Sequence, residues 1–222
     1  MSSPARPQAP RSTRQELVLA SANVGKQREL AELLAPLGVV LRLAAEWDLG
    51  SAPEIGVTFQ ENALIKARHA ARATGLPALA DDSGLEVQAL DGRPGVYSAR
   101  FAGEHASDRQ NNERLLAELG STPATARGAR YRCVLALVRD AEDTAPIVAE
   151  GSWHGRIALV AAGEGGFGYD PLFIPEGHEQ TVAELPAALK RESSHRARAS
   201  AALLAALRAA HWPDTAGRPA VR

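Results

Sequence analysis

The sequence has few of the features that would tie a protein to membranes, nucleic acid or an oxidising compartment. A single cysteine, Cys133, excludes an internal disulfide and suits a reducing compartment. Because 25 basic and 26 acidic residues leave a net charge of −1, no overall positive field attracts nucleic acid. The longest apolar stretches, such as 199–207, are too short to span a bilayer, and residues 1–14 lack the apolar centre of a secretory signal. We therefore expect a cytoplasmic protein with neither a nucleic-acid nor a membrane partner.

The length of 222 residues is enough for one large domain or two small lobes with a sizeable core. Strand-like and helix-like segments follow one another over residues 15–211, which we interpret as a single α/β domain. Residues 1–14 hold Pro, Ser and Arg without an apolar core, and we expect a disordered extension there. We expect a flexible tail over 212–222.

A polar loop between the first predicted strand and helix has the features of an anion site. Residues 16–20 predict a strand, and leucines at i, i + 3, i + 4 and i + 7 then predict a helix that ends at Gly38. Free backbone N–H groups and the helix dipole favour phosphate at such a helix N-terminus, and Lys26 adds a full charge. The alternative is an ordinary helix cap by Asn23 beside a solvated lysine.

The middle of the chain predicts a second helix and an acidic strand. Thr58 and Glu61 form a capping box, so a helix is expected over 59–74. Its polar face includes Lys66, which either faces solvent or is directed at a phosphate. The loop before this helix contains Glu54.

Two adjacent acids, Asp81 and Asp82, follow a short apolar run and lead into Ser83-Gly84. This pattern predicts a short strand that ends in the two carboxylates and a tight turn. Adjacent side chains on extended backbone point to opposite faces, so the two acids are expected to have different tasks. Carboxylate oxygens suit Mg²⁺, and one acid would face a metal or water while the other orients it. A plain turn is the alternative.

Two further segments carry candidate binding residues. Residues 163–168 match G-x-G-x-x-G, but Pro171 denies the helix that a dinucleotide fingerprint needs. The loop is instead expected to offer Phe167 as a stacking face and Asp170 as an acceptor for a base edge, with a glycine-rich hairpin as the alternative. Basic residues over 189–198 are expected at the start of one helix running to Ala210, where the helix dipole disfavours them unless they bind an anion.

Together these stretches closely resemble the RdgB/inosine triphosphate pyrophosphatase family. The matching segments are SANVGKQREL, EIGVTFQENALIKA, ADDSGLEVQALDGRPGVYSARFAG, GGFGYDPLF and KRESSHRARA, in the family's order and spacing. The resemblance implies an elongated, two-lobed α/β fold with a mixed, twisted sheet, flanking helices and a central substrate cleft. It also implies a homodimer that hydrolyses the purine nucleoside triphosphates ITP, dITP and XTP to the monophosphate and pyrophosphate with Mg²⁺.

The resemblance also implies roles for individual residues. Glu54 and Asp82 would hold or orient the metal, and Asp82 would accept a proton. From the adjacent carboxylates themselves we add Asp81 to the catalytic group as a supporting partner of Asp82. Lys66 would act with them by neutralising the triphosphate. The implied substrate-binding residues are Ser21, Asn23, Lys26, Ser83, Phe167, Gly168, Tyr169, Asp170, Lys190, His195 and Arg196.

Two other functions are compatible with parts of the pattern. A Maf-like pyrophosphatase acting on modified pyrimidines would share the architecture, although the segments around Phe167 and His195 argue against it. A non-catalytic nucleotide-binding module is the second alternative, but a protein that only binds nucleotide has no need of Asp82. The sequence does not separate the roles of Asp81 and Asp82, and it does not rank ITP, dITP and XTP.

Overall fold

A computed structural model of the protein describes residues 15–47, 49–50 and 52–212. The expected extension 1–14 and the tail from 213 onwards lie outside the described residues. Trp212, which we expected in the tail, is 9% exposed and belongs to the main hydrophobic cluster. None of the described helices is long and apolar enough to cross a membrane.

The described chain contains five α-helices and six β-strands. The helices are α1 (Val24–Leu34), α2 (Phe59–Thr74), α3 (Asp108–Leu119), α4 (Ala187–Ser193) and α5 (His195–Ala209). The strands are β1 (Glu16–Ala20), β2 (Val40–Leu43), β3 (Ala78–Val87), β4 (Gly128–Val138), β5 (Ile147–Ile157) and β6 (Phe173–Pro175). Side-chain caps define three helix starts: Asn23 caps α1 and Thr58 caps α2, the two positions given above, and Ser107 caps α3.

The strands form one mixed sheet in the order β2-β1-β3-β4-β5-β6. The first three strands are parallel, and β3 to β6 are antiparallel. Because the helices flank this sheet, the expected α/β class with a mixed sheet is confirmed.

Strand β3 corrects the expectation of a turn at Ser83-Gly84. It continues for ten residues, since β4 pairs with it along its whole length, placing Asp81 opposite Leu135 and Asp82 opposite Val134. A glycine is therefore needed at position 84 because another backbone segment approaches it closely, and not because the chain turns there. A Cβ there would lie 2.5 Å from the carbonyl oxygen of Gly95.

Separate hydrophobic clusters lie towards the two ends of the long strands. The main cluster packs α1 and α5 against one sheet face and includes the buried Cys133, as expected. A second cluster packs α3 and residues 169–182 against the other half of β3, β4 and β5. Helix α2 covers the opposite face of the first half through Ala63, Ala67 and Ala70. The polar middle of β3 lies between these clusters.

The C-terminal basic segment is two helices rather than one. Ser194 ends α4 and caps α5, with its side chain accepting from the N–H of Ala197. Lys190 and Arg191 consequently lie in the last turn of α4, where the helix dipole favours positive charge. The expected dipole penalty was wrong for these two residues.

Candidate active site

Two cavities lie close to the polar middle of β3: Ser83 and Gly84 line the narrower one, and the wider one reaches Asp82 through Lys66. The wider one has a volume of about 630 Å³ and is lined by Ser21, Glu54, Lys66 and Arg100, among others. The narrower one, of about 100 Å³, brings together most of the predicted substrate-binding residues. They are Asn23, Lys26, Ser83, Phe167, Gly168, Tyr169, Asp170, Lys190, His195 and Arg196. Of the predicted substrate-binding residues, Ser21 alone lines the wider cavity instead.

Asp82 and Lys66 form an ion pair beside the wider cavity. Lys66 Nζ lies 2.5 Å from Asp82 Oδ1 and 3.3 Å from Glu54 Oε1. Burial raises the pKa of Asp82 even though Lys66 opposes that shift. Burial would lower the pKa of Lys66, but the carboxylates of Asp82 and Glu54 outweigh it and raise that pKa. Asp82 is therefore a carboxylate with increased proton affinity beside a protonated lysine, which suits a general base.

The same carboxylates fit a magnesium ion that also binds substrate. The second oxygen of Asp82, Oδ2, is buried and has no hydrogen-bond partner among the described residues. Glu54 contacts Lys66 and, at 2.7 Å, Arg100, and it is about one-third exposed. Among the described residues, no three His, Cys, Asp or Glu side chains cluster closely enough to form a complete metal cage. Mg²⁺ commonly uses one or two carboxylates and completes its shell with water and phosphate oxygens.

Asp81 points to the opposite sheet face and has different partners. Its oxygens lie 2.5 Å from Lys26 Nζ, 2.8 Å from Arg196 Nε and 2.9 Å from Ser83 Oγ. Burial alone would raise the pKa of Asp81, but Arg196 and Lys26 hold it well below its usual range. Throughout the described chain, no hydrogen bond or ion pair joins Asp81 to Asp82 or Lys66. Asp81 therefore holds the side chains of Lys26 and Arg196 in place. It makes no contact in the described chain that would orient Asp82.

Asp170 and Lys190 shape the narrower cavity. Lys190 Nζ lies 2.6 Å from Asp170 Oδ2, 2.9 Å from Glu29 Oε1 and 4.1 Å from the ring centre of Phe167. Asp170 also accepts from the Phe167 N–H at 2.9 Å and from the Tyr131 hydroxyl at 3.3 Å. Burial raises the pKa of Asp170 against the effect of Lys190. Because both its carboxylate oxygens are engaged, Asp170 holds the turn together, and the half-buried Phe167 ring lines the cavity beside it.

His195 is a buried, neutral donor in this cavity. Its ring stacks on Tyr131, with centroids 4.7 Å apart and an interplanar angle of 12°. Burial and the neighbouring Arg196 keep the pKa of His195 well below its usual value. A neutral imidazole has one N–H donor and one acceptor nitrogen, and Nδ1 is buried without a hydrogen-bond partner. Arg196, in contrast, is bound to Asp81, Ser83 and Glu29.

Other predicted residues have mainly structural contacts. Asn23 Oδ1 accepts from the Lys26 N–H at 3.0 Å, so the capping interpretation is confirmed, but the Lys26 ammonium is paired rather than solvated. The Ser21 carbonyl accepts from the Gln27 side chain at 2.7 Å. The Tyr169 hydroxyl is buried and donates to the Ser98 carbonyl at 2.8 Å.

Several site residues were missed in the sequence. Glu29, which binds Lys190 and Arg196, lies one turn beyond Lys26 on α1, and this helical spacing was a usable signal. Tyr131 and Arg100 reach the site only through pairing of distant strands and packing of the segment after β3. Their positions had no local signal.

Comparisons with known proteins agree with this geometry. The model of the Ham1 family matches residues 17–206. A dITP/XTP pyrophosphatase of Methylococcus capsulatus is 55% identical over 196 residues, which are 88% of this chain and 98% of that protein. One from Salmonella typhimurium is 54% identical over 194 residues, covering 87% of this chain and 98% of the relative.

Solved structures give the same result. A HAM1 protein from Coxiella burnetii has a TM-score of 0.82 and 44% identity, covering 88% of this chain and 99% of that one. A nucleoside-triphosphatase / dITP/XTP pyrophosphatase from Mycobacterium abscessus has a TM-score of 0.71 and 45% identity, covering 87% and 100%. The predicted resemblance is confirmed, and the chain belongs to the Ham1 family.

Proposed function

We propose that this protein hydrolyses the deaminated purine nucleotides ITP, dITP and XTP to the monophosphate and pyrophosphate, removing them from the nucleotide pool. The observation that carries this proposal is the arrangement around β3. Among the described residues, the buried carboxylate of Asp82 has one oxygen without a hydrogen-bond partner and pairs with Lys66, which lines the wider cavity. An aromatic ring and a neutral histidine line a separate, narrower cavity. The relatives named dITP/XTP pyrophosphatase support the same assignment.

The reaction requires water to attack the α-phosphorus. A new bond forms between the water oxygen and this phosphorus, the bond to the bridging α–β oxygen breaks, and pyrophosphate leaves. Asp82 is placed to accept the proton of the attacking water, because burial raises its pKa. Lys66 places a positive charge beside it, where the triphosphate is most negative.

We also propose that the activity depends on Mg²⁺ held by Glu54 and Asp82. Both carboxylates contact Lys66, and the free Oδ2 of Asp82 is available as a ligand. When bound, Mg²⁺ would supply positive charge that stabilises negative charge developing on the phosphates. The ion pair with Asp82 would then keep Lys66 next to the phosphates.

Base selection follows from hydrogen-bond complementarity. Hypoxanthine and xanthine carry a 6-oxo acceptor where adenine carries a 6-amino donor. In the tautomer that turns its N–H towards the base, the neutral His195 ring donates to a 6-oxo acceptor and would place that donor against the adenine amino group. A site built around such a hydrogen bond discriminates by roughly 10⁴ in kcat/KM. Phe167 offers a face on which the base can stack.

We further propose that the protein is a cytoplasmic homodimer. The family resemblance supports the dimer, and the nucleotide substrate together with a single, buried cysteine suits a reducing compartment. Light scattering after size-exclusion chromatography should give twice the mass of one chain. A mass equal to one chain would contradict the dimer.

The deciding experiment is pyrophosphate release from ITP, dITP, XTP, ATP, GTP and dTTP, with Mg²⁺ and with excess chelator. We expect turnover of the first three substrates and its loss with the chelator. A preference for dTTP would instead favour a Maf-like activity on pyrimidines. Binding of ITP without turnover would favour a non-catalytic nucleotide-binding module.

A further inference from the structure

The loop that carries Phe167 is attached to α3 at Gly168. The Gly168 N–H donates to Asp108 Oδ2 at 2.6 Å, and the Gly168 carbonyl accepts from Asn112 Nδ2 at 2.8 Å. Asp108 and Asn112 are four residues apart on α3, so their side chains are neighbours on one helix face. One turn of α3 therefore holds both backbone polar groups of a single loop residue.

Gly168, the residue that α3 contacts, is a position at which the backbone of the loop can change direction easily. Gly168 has a φ of +63°, a conformation that glycine adopts readily and other residues rarely do. The preceding Phe167 ring lies against α1, because a Cβ at Gly25 would be 2.7 Å from a ring carbon. Through Gly168, α3 thus fixes the backbone directly after the residue that carries this ring. Among the described residues, these two side chains make the hydrogen bonds that join Gly168 to α3.

The contact joins two segments of the second hydrophobic cluster beside the narrower cavity. Leu115 and Leu119 anchor α3 in the second hydrophobic cluster, whereas Lys190 and His195 belong to α4 and α5. Asn112 is 8% exposed, and its Nδ2 donates to the Asp108 carbonyl at 2.8 Å as well as to Gly168. The buried amide is thus oriented by its own helix before it reaches the loop.

We propose that Asp108 and Asn112 are positioning residues that hold Phe167 and Gly168 so that the base stacks in register with the His195 donor, on which the preference for 6-oxo purines depends. This inference rests on the proposed function. Neither residue needs to touch the reacting phosphates, so their loss acts on nucleotide binding and base discrimination rather than on the chemical step.

The test is steady-state pyrophosphate release from dITP and dATP by the full chain. Asp108→Ala and Asn112→Ala should each raise the KM for dITP about tenfold and lower the dITP-to-dATP ratio of kcat/KM about tenfold, with kcat for dITP within about twofold. Asp108→Asn retains an acceptor oxygen and should restore a KM within about threefold of the parent value. Glu113→Ala, on the exposed side of the same helix, is the matched control and should change neither quantity.

Several results would overturn the inference. One is that both alanine variants match Glu113→Ala in KM and in base preference. Another is that they lose kcat equally for dITP and dATP with KM unchanged, or that Asp108→Asn is as impaired as Asp108→Ala. Thermal unfolding identifies a variant that fails to fold. If Asp108→Ala fails to fold, the results for Asn112→Ala and Asp108→Asn decide whether the inference holds. If the parent protein does not hydrolyse dITP, the proposed function itself fails, whereas an active parent with unaffected variants refutes only the positioning role.

Discussion

Replacing the two adjacent acids of β3 one at a time should show that Asp81 stabilises the fold and that Asp82 takes part in catalysis. In Asp81→Asn, the side chain that loses its charge is fully buried, and its partner Arg196 is 1% exposed. Removing one member of a buried ion pair costs about 3–5 kcal/mol, because the other charge stays buried. Glu29 still contacts Arg196, and Lys26 is 17% exposed and can be hydrated, so we expect the lower end, about 3 kcal/mol. The melting temperature should then fall by about 6–12 °C.

Asp82→Asn should have the opposite profile. Because burial raises the pKa of Asp82, folding disfavours its ionised form, and removal of the charge should leave stability unchanged or slightly increased near neutral pH. Lys66 keeps Glu54 as a partner. Turnover of dITP should nevertheless fall by about 10²–10⁴, the usual contribution of a general base.

Urea unfolding and pyrophosphate release measure the two effects on the same preparations. Tryptophan fluorescence is a suitable probe, because Trp153 is 4% exposed in the folded protein. The reasoning is wrong if Asp81→Asn unfolds at the same urea concentration as the parent. It is equally wrong if Asp82→Asn loses as much stability as Asp81→Asn, or retains full turnover.

Three further substitutions test packing, acid stability and metal binding. Gly84→Ala should cost about 1–3 kcal/mol in thermal unfolding, because the new Cβ would lie 2.5 Å from the Gly95 carbonyl oxygen; an unchanged melting temperature would contradict this. Hydrogen bonds from Arg139 lower the pKa of Asp143 to about 2, so its stabilisation is present above about pH 4 and lost as the pH falls towards 2. Since Arg139 is half-exposed, Asp143→Asn should cost about 1 kcal/mol in urea unfolding near neutral pH and nothing near pH 2; equal losses at both pH values would refute it. Glu54→Gln should raise the Mg²⁺ concentration for half-maximal turnover about tenfold or more, whereas an unchanged requirement would remove Glu54 from the metal site.

Local sequence signals predicted much of the helical frame. The boundaries of α2 follow from the capping box of Thr58 and Glu61 and from Gly75 at its end, which are interactions within one short segment. The opposite directions of Asp81 and Asp82 follow from the two-residue period of an extended strand. The five family-like segments likewise contain most residues of the two cavities taken together. They did not show which of these residues contact one another.

Long-range contacts decided the rest. Strand β3 continues through Ser83-Gly84 because β4, some fifty residues later, supplies its hydrogen bonds, and this pairing overrides the local preference for a turn.

The partner of each charge was also decided by the tertiary structure. Asp81 takes Lys26 and Arg196 because α1 and α5 cover its sheet face, while Asp82 takes Lys66 because α2 covers the other. The sequence by itself thus determined which segments fold into helices and which residue types carry the chemistry, since caps, periodicity and side-chain character act locally. Only the tertiary structure decided which of those residues meet, because ion pairs and cavities join positions that are distant along the chain.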